Sequence, residues 1–192
     1  MRCIIVPGNG CSSNIRAANW YGFAQDKLQA TGLFSEVILT VMPDPYVAKE
    51  SIWVPFLLDD LRADEKTLLI GHSSGAEATM RLLENKKLFG AVLVSACWTD
   101  LGDANEAASG YYARPWEWQA IKTNVGSFGI IQLHSADDPF IPLDEAQHVA
   151  ESLGSDFRVF EDRSHFFDPS SIEDCLDEVV ERAKRCALLG EN

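Results

Sequence analysis

Short apolar runs alternate with amphipathic stretches along almost the whole chain, and this alternation limits the folds that the chain can adopt. Six runs are predicted to be β-strands, at 2–6, 36–42, 67–70, 91–95, 130–134 and 157–160. Five stretches have helical spacing, at 20–29, 52–61, 75–83, 143–153 and 172–187. Strands that are apolar throughout and joined by helices are typical of a parallel sheet buried on both faces. We therefore predict an α/β fold with a mostly parallel six-stranded sheet and helices on both faces.

The bulk composition is that of a single globular domain. Its 192 residues, 46% of them hydrophobic, suit a single domain over 1–192. A net charge of −13 disfavours nucleic acid and anionic membrane surfaces as partners. The longest apolar runs are too short to span a bilayer, and Pro7-Gly8 interrupts the N-terminal run before it could form a signal peptide. A cytoplasmic protein is expected.

The cysteine pattern also favours a protein of a reducing compartment. The five cysteines form no CxxC pair and no Cys/His cluster, so no zinc site is expected. Free thiols in a reducing compartment are the simplest interpretation.

Residues 71–75, Gly-His-Ser-Ser-Gly, lie between the third predicted strand and the helix that follows it. They match the pattern G-x-S-x-G in the strand–turn–helix context that gives this pattern its chemical meaning. Ser73 is the central residue and therefore the candidate nucleophile. Ser74 cannot be central, because His72 and Ala76 stand where glycines would be required.

The same turn predicts an oxyanion hole. The N–H of Ser74 would lie at a helix N-terminus, facing the position where negative charge develops. A second donor is expected from the loop at 6–12, after the first strand, where Asn9 and Gly10 are both candidates.

A serine hydroxyl needs a base and an orienting carboxylate, which in sheet-based hydrolases follow the serine in the order acid, then histidine. Asp137 and Asp138 directly follow the fifth strand, and His165 follows the sixth. Asp138 is favoured over Asp137, because the Pro-Phe-Ile-Pro sequence after it shapes a loop into the next helix. His165 is the only histidine in a loop after both a strand and the acid.

Residues 98–124 interrupt the strand–helix rhythm and are long for a connection, which is typical of a lid or a binding loop. Four aromatic residues there are candidates for a substrate pocket or for packing of a lid: Tyr111, Tyr112, Trp116 and Trp118. Three acidic residues of the same segment could hold a substrate ammonium group or be solvated: Asp100, Asp103 and Glu106.

The combined motifs resemble the α/β-hydrolase superfamily, and more closely its small serine hydrolases of the retinoblastoma-binding protein nine type. The matching segments extend from residue 4 to 166 and include IIVPGNG, MPDP, ESIWVPF, DEKTLLIGHSSGA, VLVSA, DLGDANEAASGYYARPWEW, DDPFIP and SHF. The resemblance implies a compact α/β-hydrolase fold, a Ser73–Asp138–His165 triad and small ester or amide substrates. It does not extend to binding of retinoblastoma protein through LxCxE, because Ala63 stands in the cysteine position.

The sequence therefore predicts a serine hydrolase that works through an acyl-enzyme, with no metal and no organic cofactor. Two other interpretations remain. One is a non-catalytic interaction module that retains the fold, against which the complete triad order argues. The other is a cysteine nucleophile at Cys11 or Cys97, neither of which lies in a G-x-S-x-G turn.

Overall fold

The computed structural model describes residues 1–11 and 13–190. Predictions at Ser12, Glu191 and Asn192 lie outside the described residues. The strands are β1 (Arg2–Val6), β2 (Glu36–Leu39), β3 (Thr67–His72), β4 (Leu88–Val94), β5 (Val125–Ser135) and β6 (Asp156–Phe160). The helices are α1 (Tyr21–Ala30), α2 (Glu50–Pro55), α3 (Ser74–Leu83), α4 (Ala104–Ser109), α5 (Trp118–Asn124), α6 (Leu143–Leu153) and α7 (Glu173–Gly190).

The six strands form one sheet in the order β2-β1-β3-β4-β5-β6, and every neighbouring pair is parallel. All six residues of β3 are buried, as expected for a central strand covered on both faces. The prediction of a parallel six-stranded α/β sheet is confirmed.

Successive side chains of a strand point to opposite faces, and the two faces support separate cores. Ile5 packs with residues of α1 and α7, such as Leu28 and Leu176. Ile4 packs on the other side with residues of α2 and α3, including Trp53 and Met80. The expected layers of helices on both faces are therefore present.

The second helix differs from the prediction. It begins at Glu50, before the predicted start at 52, with Lys49 as its N-cap, and it ends at Pro55. A π-helical turn, Phe56–Asp60, continues it. A proline lacks the N–H that an α-helical interior needs, so Pro55 marks the place where the hydrogen-bond pattern changes.

The segment at 98–124 also differs from a simple lid, since it contains α4 and α5. Asp103 caps α4 by accepting hydrogen bonds from the N–H groups of Asn105 and Glu106. Strand β5 starts at Val125, earlier than predicted, and its pairing with β4 shifts register between Leu88 and Gly90.

Candidate active site

Ser73 lies in the turn between β3 and α3, with φ 53° and ψ −127°. A non-glycine residue in this region costs about 1–3 kcal/mol, which the surrounding structure must offset. The Ser73 N–H donates to the carbonyl of Val94 at 2.9 Å, which ties the turn to the end of β4.

The flanking glycines permit two backbone segments to approach closely. A Cβ at Gly71 would lie 2.3 Å from the carbonyl oxygen of Gly75. A Cβ at Gly75 would lie 2.2 Å from the carbonyl oxygen of Val6, which belongs to β1. Real Cβ atoms do not occur at such distances, so the turn requires glycine at both positions.

The backbone N–H of Ser74 is at the first position of α3, where helical N–H groups have no partner within the helix. Of the two loop candidates, Gly10 donates its N–H to the carbonyl of Pro45 at 2.7 Å. The N–H of Asn9 makes no hydrogen bond to another described residue. Asn9 lines the same cavity as Ser73, whereas Gly10 is not among its lining residues.

His165 and Asp138 form a hydrogen-bonded pair. The His165 Nδ1 lies 2.8 Å from one carboxylate oxygen of Asp138 and 3.1 Å from the other. The Asp138 side chain has no exposed surface, and that of His165 is 8% exposed. Because a carboxylate only accepts, Nδ1 of His165 carries the proton and Nε2 is left to accept one.

The surroundings of Asp138 favour its charged form. Burial alone would raise its pKa, but hydrogen bonds outweigh burial and the pKa lies below its ordinary value. The donors are the imidazole of His165, the N–H groups of Phe140 and Ile141, and the hydroxyl of Ser95 at 2.8 Å.

Asp137 has a different set of partners. Its carboxylate accepts from the hydroxyl of Ser135 at 2.6 Å and from the N–H of Ser164 at 2.8 Å. These contacts join the loop after β5 to the loop that carries His165. Asp137 therefore supports the position of that loop, whereas Asp138 contacts the imidazole itself.

Ser73 and His165 line one cavity of about 640 Å³ at the carboxyl ends of the strands. No hydrogen bond joins the Ser73 hydroxyl to His165 among the residues described, and such bonds are often long before a substrate is present. The cavity lining is chemically mixed. It includes three acidic residues, Glu77, Asp103 and Glu106, and an apolar rim of three exposed residues, Leu101, Phe140 and Phe167.

Glu77 is a buried carboxyl group on α3, one helical turn after Ser73, and is 1% exposed. One of its oxygens accepts the N–H of Cys97 at 2.9 Å. Burial raises the pKa of Glu77 well above its ordinary value. Glu106 has a raised pKa for the same reason, and it accepts a hydrogen bond from the Asn9 side chain at 3.0 Å.

Of the four aromatic candidates, Tyr112 lines this cavity, whereas Tyr111, Trp116 and Trp118 are not among its lining residues. Trp116 and Trp118 line a second cavity together with Tyr112. Buried Arg81 packs against this segment, with its guanidinium 3.7 Å from the Trp116 ring centroid. Trp116 in turn stacks on Trp118 with ring centroids 5.5 Å apart. Asp100 is also absent from the lining of the Ser73 cavity, in contrast to Asp103 and Glu106.

The protein's relatives agree with this geometry. A family model described as serine hydrolase matches residues 3–174. The serine hydrolase RBBP9 of Rattus norvegicus is 47% identical over 165 residues, covering 86% of this chain and 87% of the relative. The chain belongs to the serine hydrolase family. It is therefore a serine hydrolase.

Solved structures show how widely this fold is shared. The ydeN gene product of B. subtilis superimposes with a TM-score of 0.78 at 21% identity, over 94% of this chain and 98% of that one. The esterase RhEst1 from Rhodococcus gives a TM-score of 0.60 at 14% identity, over 96% and 90% of the two chains. At these identities the likeness establishes the compact α/β-hydrolase fold alone.

Within this serine hydrolase, sequence reasoning missed three residues around the site: Ser95, Glu77 and Tyr21. Ser95 lies at the end of a strand with φ 50°, and nothing in the sequence marks it as a partner of Asp138. Glu77 could have been noticed, since an acidic residue four positions after Ser73 falls on the same side of the helix. Tyr21 contacts His72, which is described below.

Three further observations concern the cysteines, metal sites and membrane-spanning helices. All five cysteines are free thiols. Among residues 1–11 and 13–190, no group of three His, Cys, Asp or Glu side chains is arranged to hold a metal ion. Over the same residues, none of the helices combines the length and the hydropathy needed to cross a bilayer.

Proposed function

We propose that this serine hydrolase cleaves small ester or amide substrates through an acyl-enzyme formed on Ser73. The observation that carries the proposal is the buried Asp138–His165 hydrogen bond at the wall of the cavity that Ser73 also lines. A protonated Nδ1 leaves Nε2 of His165 free to accept the proton of the Ser73 hydroxyl.

The first half of the reaction forms the acyl-enzyme. Ser73 Oγ bonds to the carbonyl carbon while its proton passes to His165. The carbonyl oxygen becomes negative and accepts hydrogen bonds from the N–H groups of Ser74 and Asn9, each donor contributing on the order of 3 kcal/mol. His165 then gives its proton to the departing alcohol or amine.

The second half regenerates the enzyme. Water replaces the leaving group, His165 takes a proton from it, and the resulting hydroxide adds to the acyl carbon. Collapse of that intermediate releases the carboxylic acid and returns the proton to Ser73. Asp138 keeps its negative charge throughout and stabilises the imidazolium form of His165.

A fluorophosphonate probe tests the nucleophile, with the adduct located by mass spectrometry. We expect labelling of the wild type at Ser73 and none in Ser73→Ala. Ser74→Ala is the matched control, because it changes the adjacent side chain but keeps the N–H, and it should retain labelling. His165→Ala should lower turnover by several orders of magnitude with the fold intact, since the three groups act as a unit. An unlabelled wild type would instead favour the non-catalytic interaction module.

The mixed lining of the cavity supports a narrower substrate class within this proposal. Asp103 and Glu106 suit an acyl group with an ammonium, and the apolar rim suits a leaving group without charge. A hydrogen bond to a charged group contributes about 1.5–3 kcal/mol, so an amine on the substrate should raise kcat/KM about tenfold or more.

Matched p-nitrophenyl esters with and without an α-amine provide the measurement. Glu106→Gln should reduce the ratio of their kcat/KM values, because it removes a charge but keeps an acceptor for Asn9. Asp100→Asn is the control, since Asp100 does not line the cavity, and it should keep the ratio. Equal rates for the two esters in the wild type would remove the amine preference and leave the serine mechanism standing.

A further inference from the structure

His72 belongs to the nucleophile turn, yet the reaction as written gives it no part. Its ring is 1% exposed, and both ring nitrogens have partners. Nδ1 lies 2.7 Å from the hydroxyl of Tyr21, and Nε2 lies 2.9 Å from the backbone carbonyl oxygen of His165. The residue next to the nucleophile is thus hydrogen-bonded to the main chain of the base.

The partners of Tyr21 fix the proton positions. Its hydroxyl accepts the N–H of Gly8 at 2.9 Å and a side-chain N–H of Asn19 at 3.0 Å. The Cys11 thiol also lies beside this hydroxyl. A carbonyl oxygen only accepts, so Nε2 of His72 carries the ring proton and donates it to the His165 carbonyl. Nδ1 of His72 is then an acceptor, and the phenol proton of Tyr21 points to it.

The charge state agrees with this assignment. Burial, followed by the nearby charge of His165, lowers the pKa of His72 to about 3. A neutral imidazole has one donor and one acceptor nitrogen, as the two contacts require. The hydrogen bonds from Gly8 through Tyr21 and His72 to His165 then all point in one direction, an arrangement in which each bond polarises the next.

Both ends of this chain of hydrogen bonds lie beside groups with proposed catalytic roles. Gly8 precedes Asn9, which lines the cavity of Ser73. At the other end, the neighbours of His165 adopt left-handed conformations, with φ 50° at Ser164 and 53° at Phe166. Left-handed backbone is unfavourable for side-chain-bearing residues, so the His165 peptide needs contacts that hold it in place.

We propose that His72 and Tyr21 are positioning residues that hold the His165 loop and the Gly8–Asn9 loop in fixed positions relative to Ser73. The proposal rests on the assignment of His165 as the base. A misplacement of about 1 Å at a reacting group can cost about 100-fold in rate, so loss of these hydrogen bonds should lower kcat more than it changes KM.

Two substitutions separate the two hydrogen bonds of His72. His72→Gln places an amide donor where Nε2 was, and His72→Asn places an amide oxygen where Nδ1 was. We expect His72→Asn to lower kcat about 100-fold with KM little changed, because the His165 carbonyl loses its donor. His72→Gln should restore most of that loss. His148→Asn, in a histidine that stacks on Trp98 outside the cavity lining, is the matched control.

Tyr21→Phe tests the Gly8 end of this chain of hydrogen bonds. It removes the acceptor of the Gly8 N–H and the donor to Nδ1 of His72. Its kcat should fall about tenfold or more. Equal kcat values for His72→Asn, His72→Gln and wild type would overturn the proposal. So would equal losses in both His72 variants, which would indicate a general packing effect.

A spectroscopic readout keeps the test independent of turnover. The Nδ1–H of His165, bonded to a carboxylate, should give a downfield proton resonance in the wild type and in His72→Gln. In His72→Asn this resonance should broaden or vanish while circular dichroism stays unchanged. An unaltered resonance in His72→Asn would overturn the proposal even if Ser73 were not the nucleophile. Failure of fluorophosphonate labelling alone would count against the proposed function and not against the positioning role.

Discussion

Gly75 illustrates how one missing side chain shapes the site. Its backbone is helical, but a Cβ there would lie 2.2 Å from the carbonyl oxygen of Val6 and 2.7 Å from that of Pro7. The first turn of α3 therefore sits directly against the end of β1. The spacing between the Ser74 N–H and the Asn9 loop depends on this contact.

Gly75→Ala should destabilise the protein by about 1–3 kcal/mol, because backbone atoms must move to admit the methyl group. It should also lower kcat, since the helix N-terminus and the Asn9 loop would be pushed apart. Gly32→Ala is the control for kcat, since Gly32 does not line the cavity. At φ +67° an alanine is strained even with open space around it, so this variant should lose stability but keep the wild-type kcat. Urea denaturation and steady-state kinetics measure both variants. A Gly75→Ala enzyme with wild-type kcat would contradict the argument.

Glu77 gives a pH-dependent prediction. Its pKa is raised in the folded protein, so between about pH 4.3 and the raised value the folded state holds a proton that the unfolded chain has released. The contribution of Glu77 to stability is complete below that range and is lost as the pH rises through it. Glu77→Gln imitates the protonated form and does not titrate. Within this window its free energy of unfolding, relative to that of the wild type, should rise by up to about 1.4 kcal/mol per pH unit.

Free energies of unfolding at pH 5, 6, 7 and 8 test this prediction. The advantage of Glu77→Gln over the wild type should increase with pH. Glu65→Gln, at an exposed position, is the matched control and should follow the wild-type curve. Parallel curves for Glu77→Gln and the wild type would contradict a protonated buried carboxyl.

At the scale of elements, Arg81 of α3 organises the aromatic segment. Its side chain has no exposed surface and is paired with Glu84. It donates to backbone carbonyls of three residues in that segment: Tyr111, Arg114 and Pro115. The segment at 111–116 is thus attached to α3, the helix that follows Ser73, through one guanidinium group.

Arg81→Met should cost about 3–5 kcal/mol, because it removes the buried partner of the Glu84 carboxylate and leaves the carbonyls of the segment without their donor. Arg114→Met is the matched control, since Arg114 is 45% exposed and its ion pairs with Glu50 and Glu84 should contribute at most about 1 kcal/mol. Denaturation followed by tryptophan fluorescence would report the unfolding of both variants. Similar losses in the two variants would argue against a special role for Arg81.

The elements also show which parts of the fold could be predicted from the sequence and which could not. Continuous apolar runs revealed the strands, because burial on both faces leaves a local signal in every residue. The π-helical turn after Pro55 could not be foreseen, since its register depends on a hydrogen-bond pattern that apolar spacing does not encode. The aromatic density of 111–118 indicated burial but not the partner, which is Arg81, some thirty residues earlier.

For the site, G-x-S-x-G and the acid–histidine order identified the candidates, whereas the contact of Ser95 with Asp138 arises only from strand pairing.

At the scale of the whole molecule, the groups of the candidate site come from loops after five different strands. Ser73, Ser95, Asp138 and His165 follow β3, β4, β5 and β6, and Asn9 follows β1. Parallel strands bring all these loops to one edge of the sheet, which is where open α/β sheets bind their ligands. The five cysteines likewise differ in burial, since three are buried and two are partly exposed.

The thiols therefore offer a test of the overall packing. Cys3, Cys97 and Cys175 are buried, whereas Cys11 and Cys186 are partly exposed. Under native conditions iodoacetamide should modify only the last two, and all five should react in urea, as counted by mass spectrometry. Alkylation of Cys186, which contacts the Ser127 carbonyl, should leave hydrolysis intact. Alkylation of Cys11 should lower kcat, because its thiol lies beside the Tyr21 hydroxyl. Rapid native modification of Cys97, with loss of activity, would favour a cysteine nucleophile.

The apolar rim of the cavity has a consequence for how such an enzyme could be re-engineered. Leu101, Phe140 and Phe167 are 39%, 60% and 46% exposed, so the core does not depend on them. Substitutions at exposed positions usually change stability by about 0.5 kcal/mol or less. A combinatorial library at these three codons could therefore alter leaving-group selectivity with little change in the free energy of unfolding. The protein would keep the stability that offsets the strained backbone at Ser73.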